Sequence, residues 1–527
     1  MTEVNTLKSV LKFLHTPAKS YDDVAYEPTF KSSSMFPIMC GNGMSATISF
    51  MNYWKFKNEI ESISCVATVR SADGETLKRV YFPVDQPVHS LKFPELANDF
   101  LSADGSFVGS CEVEFFAVED LKFPYPAVSV FYETAKGVSA VHTASRVFHS
   151  IGDMDKRLMT DIQESGFDIH SDDDRTPFIC FTNGPRPVAE SKMVFTAFNA
   201  QGNEMVIELP TEALRPYQTL FVFPEEHQEM RTFLQGNVGF CKVSYEPFGI
   251  FPRLMCGNMA PDRSQVTLTH SYYDISVREE YFDSDLSGDI RNAFLAIPLT
   301  MVEETEIDVS FYPIFSPGEI KIRASIFDGQ GELLGKEEDF GSVVSPGTQM
   351  ISLKIRELIQ RLEIPLKSSS LLSIEGYSPD NKLPTRINFG VNHHRPEKAG
   401  TNINTSMYHG AQFDKPRRSY LWQPVFIRED LENFALITAL SSRVDDKFTA
   451  QAHLDLFSES GKIWSEELEI QNQTSIRIKL EDLIDKAGYT PKNGEILWCT
   501  MESDCPYLGS TYLMTSDQGF IGGDHSY

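Results

Sequence analysis

The chain lacks any apolar stretch near the roughly 18 residues that a membrane-crossing helix needs. Its longest, Phe294 to Met301, is broken by Pro298 and Thr300. Cationic residues are outnumbered: 47 lysines and arginines stand against 74 acidic residues, a net charge of −27. An acidic surface of that size repels phosphate backbones and anionic lipid, so nucleic acid is excluded as a partner class. The 8 cysteines are spread over 527 residues, too thin for a disulfide framework. Cys499 and Cys505 form a lone C-x5-C pair, open to a disulfide or to two metal ligands. No Walker P-loop, H-E-x-x-H or G-x-S-x-G is present. The run GQGELLG from Gly329 has the wrong glycine spacing for a dinucleotide fingerprint. The N-terminus carries no secretory pattern, and the expectation is a soluble, cytoplasmic protein without a transmembrane segment.

An internal period is present instead. Four segments share one hairpin-like turn: RSADGETL from Arg70, FNAQGNEM from Phe198, FDGQGELL from Phe327 and FSESGKIW from Phe457. Their glycines, Gly74, Gly202, Gly331 and Gly461, are spaced by 128, 129 and 130 residues. Such turns need positive φ at one position, which glycine adopts without steric cost. Each turn follows an alternating or β-branched run, the mark of a half-buried strand. A second marker follows, read as a short strand entering a helical turn: SLKFPEL at Ser90, VIELPTEAL at Val206, SLKIREL at Ser352 and RIKLEDL at Arg477. A further strand comes after it, with Cys111 and Cys241 at equivalent places, 130 residues apart.

The expected fold is therefore all-β with minor α: four tandem divergent β-sandwich repeats of about 129 residues, each with a short helical turn. The expected divisions are an N-terminal amphipathic helix and linker over 1–29 and sandwiches over 30–150, 175–278, 292–414 and 418–527. In the first segment Leu7, Val10, Leu11 and Leu14 share a helix face that Pro17 ends. Tandem copies can form a rod or close into a ring. Two near-identical strings, MCGNGM at Met39 and MCGNM at Met255, are not a site used twice. Cys40 and Cys256 are 216 residues apart, out of register with the period, and each string reads as Gly-Asn turn chemistry.

The candidate ligand-binding residues recur in register. The copies end in VHTAS with His142, THSYY with His270 and Tyr272, NTSMY with Asn404, and HSY with His525. Imidazole suits metal coordination or hydrogen bonding to a polar ligand, and a ring would bring several of these groups together. Asn404 fits a metal less well than the histidines. His393, His394 and His409 form a second candidate group on a long hairpin insertion. The run DSDLSGDI resembles the first part of an EF-hand loop, with Asp283, Asp285, Ser287 and Asp289 as candidate ligands. Position 12 of that pattern is Phe294 rather than glutamate, so the resemblance is incomplete.

These features point first to a non-enzymatic binding or scaffolding protein with a carbohydrate or protein ligand. Exposed tyrosines such as Tyr272, Tyr273 and Tyr408 would stack on sugars. The alternatives are an enzyme using a divalent metal held by the recurrent histidines and a self-assembling structural protein.

Overall fold

The computed structural model describes residues 30–119, 121, 126–142, 145–147, 162–189, 191–211, 213–226, 229–245, 250–251, 253–273, 281–283, 289–312, 314, 316–345, 347, 351–413 and 418–526. The expected N-terminal helix lies outside them. Strands make up 58% and helices 9%, which sets the class as all-β with minor α. All the ladders are antiparallel, and no helix among the described residues is long and apolar enough to cross a membrane.

The sheets come in facing pairs with one recurring strand order. In the first pair, Phe30–Cys40, Phe107–Ala117, Ser64–Ser71 and Thr76–Pro83 form one sheet. Val88–Phe93, Ser45–Met51, Val128–Glu133 and Val138–His142 form the other. Phe36, Cys65 and Cys111 of the first sheet and Ile48, Phe50 and Val130 of the second close a common core. The order recurs in the sheets ending in Val266–His270, Thr401–Ser406 and Ile521–His525, which we call, with Val138–His142, the closing strands. The strand Ile162–Ile169 opens the second pair by pairing with Gly239–Tyr245, so that pair takes in chain ahead of residue 175.

The glycine turns fall where the sequence places them. Gly74, Gly202, Gly331 and Gly461 have φ of 87°, 79°, 76° and 147°, each between two strands of a hairpin. The strand-to-helix marker is right at Ser352, where Ile355–Arg361 buries Ile355, Leu358 and Ile359, and at Arg477, where Leu480–Lys486 follows. In the second pair of sheets it is displaced. Val206 lies in Glu204–Thr211, the outer strand of the glycine hairpin; the strand that precedes helical turns is Thr219–Val222. Both segments carry an apolar run before proline and glutamate, and only pairing separates them. MCGNGM is a turn, with Gly41, Asn42 and Gly43 at positive φ. MCGNM is instead the buried strand Met255–Met259, because it sits between two partners, Thr176–Thr182 and Val266–His270. Cys499 and Cys505 are free thiols, as are the other six.

The closing strands explain how the pairs meet. Each is the last strand of its sheet, yet all five residues of Val138–His142 and of Val266–His270 are buried. A buried edge must have its main-chain groups satisfied. Here the closing strands cover one another. The Leu268 amide donates to Ser139 Oγ (2.8 Å), Thr401 Oγ1 donates to the Gly523 carbonyl (2.9 Å), and the Asn404 amide donates to the His270 carbonyl. The circuit closes from last strand to first, where the His142 amide donates to Asp524 Oδ2 (3.2 Å) and Gly522 packs on Val138. Trp498, fully buried, donates its indole N–H to Ser49 Oγ across the same junction (3.0 Å).

Candidate metal centre

The register of the closing strands sets the site. His142, His270 and His525 end three of them, and burial of the strands carries the imidazoles inward. The His142 ring lies 4.6 Å from that of His270 and 4.4 Å from that of His525, centroid to centroid, and the last two are 6.0 Å apart. Asp524 joins them, and one donor atom from each of the four lies within 4.8 Å of the others. His142, His270 and Asp524 are buried and His525 is partly so.

The hydrogen bonds fix the tautomers. His142 Nδ1 is 2.6 Å from Asp524 Oδ2, His270 Nδ1 is 3.1 Å from the Ser271 carbonyl, and His525 Nδ1 is 3.0 Å from the Ser526 carbonyl. A nitrogen facing an acceptor oxygen must carry the proton, so each ring keeps its lone pair at Nε2. This is the outer support by which metal-binding histidines are oriented. Nε2 of His525 is buried and has no hydrogen-bond partner among the described residues.

The electrostatics agree. Burial pulls His142 down to about 4 against the pull of Asp524, and burial with the Arg253 charge pulls His270 well below the usual range. Burial alone would raise the Asp524 carboxyl, but His142, by charge and hydrogen bond, holds it below the ordinary carboxylate range. At neutral pH His142 and His270 are neutral imidazoles and Asp524 is a carboxylate. Three nitrogens and one oxygen suit a zinc, iron or manganese ion, with Asp524 either as a ligand or as the carboxylate that orients His142.

The other candidates are placed differently. Asn404 is buried beside the cluster, and its amide bridges the Gly166 and His270 carbonyls, bracing the second closing strand. His393, His394 and His409 do not gather. His393 and His394 belong to the strand Asn388–His394 rather than to a loop, so they alternate in direction. His393 is fully buried, and His394 faces Asp308 at 3.1 Å. His409 is buried against Phe282, ring centroids 4.2 Å apart. Tyr272 pairs through its main chain with Ser165, and its side chain lies outside the described residues. Asp283 ends the short strand Tyr281–Asp283, paired with Lys382; its side chain, Asp285 and Ser287 lie outside the described residues. Asp289 is exposed, and its carbonyl accepts from the Val444 amide. Asp524 is the residue that register reasoning misses. Its counterparts one residue before the recurrent position are Val141, Thr269 and Ile403, so the period gives no signal there.

No protein-family model and no curated protein matches the chain. Among solved structures, it is similar to a calcium-binding-site mutant of Bacteroides uniformis beta-glucuronidase 2, at 8% identity and TM-score 0.11, over 46% of this chain and 26% of that one. It is also similar to a trypsin-activated alpha-2-macroglobulin from Escherichia coli, at 8% identity and TM-score 0.11, over 92% of this chain and 30% of that one. The chain thus spans about a quarter to a third of each neighbour's length, and likenesses this low carry no functional argument.

Proposed function

We propose that this is a metal-dependent binding protein whose four sandwich units close into a ring and hold one divalent transition-metal ion at the axis. The observation that carries the reading is the set of three imidazoles, each with Nδ1 committed to an oxygen, gathered with Asp524. Three nitrogen ligands leave positions open on the ion, which suits direct coordination of a small molecule or activation of water. The carbohydrate reading has less behind it, since it rests on Tyr408, Tyr272 and Tyr273, the last two with undescribed side chains.

The test is elemental analysis of full-length protein after dialysis, with zinc, iron and manganese offered during purification. The expected result is about one ion per chain, lost in His525→Ala and weakened about 10- to 100-fold in Asp524→Asn. A wild-type protein that retains no ion and fails to compete with a chromophoric zinc chelator would contradict the proposal.

A further inference from the structure

A cavity of about 680 Å³ lies where the third and fourth pairs of sheets meet the helix Tyr53–Asn58 of the first. Its size falls within the range of small-molecule sites, roughly 300–1,000 Å³. Ile297, Val391 and Ile403 of the third pair and Leu421 and Leu508 of the fourth contribute to its wall. The rings of the wall pack on one another: Trp422 on Tyr53 and Tyr420, and Phe413 on Phe294, Tyr408 and Tyr507. Contact with a ligand therefore falls mainly to the aliphatic side chains. Arg418, also in the wall, is already paired with Glu502 and Asp504, so its charge is met within the protein.

The same wall holds His393. It follows Val391 by two residues on the strand Asn388–His394, so both side chains stand on one face of the sheet. The imidazole is fully buried, and neither ring nitrogen has a hydrogen-bond partner among the described residues. Its cross-strand neighbours leave it so. Ile307 is apolar, and the Thr401 hydroxyl donates to the Gly523 carbonyl. Burial, helped by the neighbouring His394, pulls its pKa down to about 4, so the ring is neutral at neutral pH.

A buried polar group without a partner carries an unrecovered desolvation cost, which a ligand that supplies the partner recovers. A neutral imidazole has one donor nitrogen and one acceptor nitrogen. A hydroxyl is donor and acceptor at once, so it pairs with whichever nitrogen faces it, in either tautomer. A carboxylate or ammonium would have to lose its water beside a neutral ring.

From this wall we infer that the cavity binds an aliphatic alcohol, its chain against the aliphatic side chains and its hydroxyl on His393. Apolar burial supplies affinity, and the unpaired imidazole selects the hydroxyl. The inference stands on the cavity alone and does not require a metal ion.

The experiment is calorimetric titration of full-length protein at neutral pH, in chelator-treated buffer, with 1-butanol, 1-hexanol, 1-fluorohexane and hexanoate. Expected is saturable binding of one hexanol per chain, at least about fivefold tighter than 1-fluorohexane, which has the chain without the donor. Affinity should rise about fourfold per methylene from butanol to hexanol, and hexanoate should bind more weakly than hexanol. His393→Phe should erase the preference for the alcohol while still binding 1-fluorohexane. Leu421→Trp, which fills the space, should abolish binding of both. No saturable binding of hexanol, equal affinity for hexanol and 1-fluorohexane in the wild-type protein, tighter binding of hexanoate, or an unchanged preference in His393→Phe would overturn the site.

Discussion

The sheets of this protein have two kinds of edge. The outer hairpin strands Thr76–Pro83 and Gly461–Gln471 alternate between exposed and half-buried residues and carry Lys78, Arg79, Lys462, Glu467 and Glu469. Charged side chains keep such edges from pairing with other chains, and water satisfies their main-chain groups. The closing strands are edges too, but they are buried and carry no lysine, arginine or glutamate. Their main-chain groups are satisfied by Ser139, Thr401, Asn404 and Asp524. One of these side chains, Asp524, also stands in the donor cluster, so the buried junction and the cluster share a residue.

The sharpest way to break this comparison is to exchange the chemistry of the two edges. Val141 is 1% exposed on a closing strand, whereas Val206 is 51% exposed on an outer one. Val141→Lys should cost at least about 3 kcal/mol, enough to leave little folded protein. Val206→Lys should stay within about 0.5 kcal/mol. Urea unfolding of the pair measures both, and equal effects would show that the closing strands are not a sealed junction.

The next effect belongs to Gly522. A Cβ there would sit 1.9 Å from the Val138 carbonyl oxygen, in main chain that cannot swing aside. Gly522→Ala should cost about 1–3 kcal/mol and should loosen the contact between last and first closing strands. Hydrogen exchange at Val138–His142 would report that loosening, and unaltered protection there would count against the closure.

Acid should weaken the interior before it affects the outer edges. Burial, helped by the neighbouring His394, pulls His393 down to about 4 from its ordinary 6.5. The unfolded chain takes up a proton between these values and the native protein does not. The contribution is therefore complete above about pH 6.5 and falls toward pH 4, by on the order of 2–3 kcal/mol. Denaturation midpoints across that window should decline in wild type and decline less in His393→Phe.

A smaller contrast sharpens the role of the glycine turns. Gly74 and Gly105 both have positive φ, but a Cβ at Gly74 would lie 2.1 Å from the Pro216 carbonyl oxygen and one at Gly105 would meet nothing. Gly105→Ala should cost about 1 kcal/mol, from φ alone, and Gly74→Ala about 1–3 kcal/mol, from strain and contact together. Thermal shifts of the two variants separate these contributions.

Much of this was legible in the residues, for identifiable reasons. The turn glycines recur because hairpin geometry leaves few alternatives, and the alternating runs before them are strands. His142, His270 and His525 were found by register, since equivalent strands deliver equivalent positions to one place. Asp524 was hidden because it has no counterpart in the other closing strands. His393 and His394 read as loop residues because the alternation of Phe389 and Val391 gives way to two adjacent polar side chains, and nothing in the residues marks His393 as the next buried position. Asp168, close to the acidic run Asp172–Asp174, is buried, accepting from Ser310 Oγ at 3.0 Å and from Asn392. A lone carboxylate in a charged stretch carries no sequence signal that distinguishes packing from solvation.

X-ray absorption spectroscopy at the zinc edge of the zinc-loaded protein tests the central claim most directly. The account predicts a first shell of nitrogen and oxygen at about 2.0–2.1 Å, with outer-shell scattering from three imidazoles that falls in His525→Ala. A sulfur shell near about 2.3 Å, or an all-oxygen shell indifferent to that substitution, would contradict it.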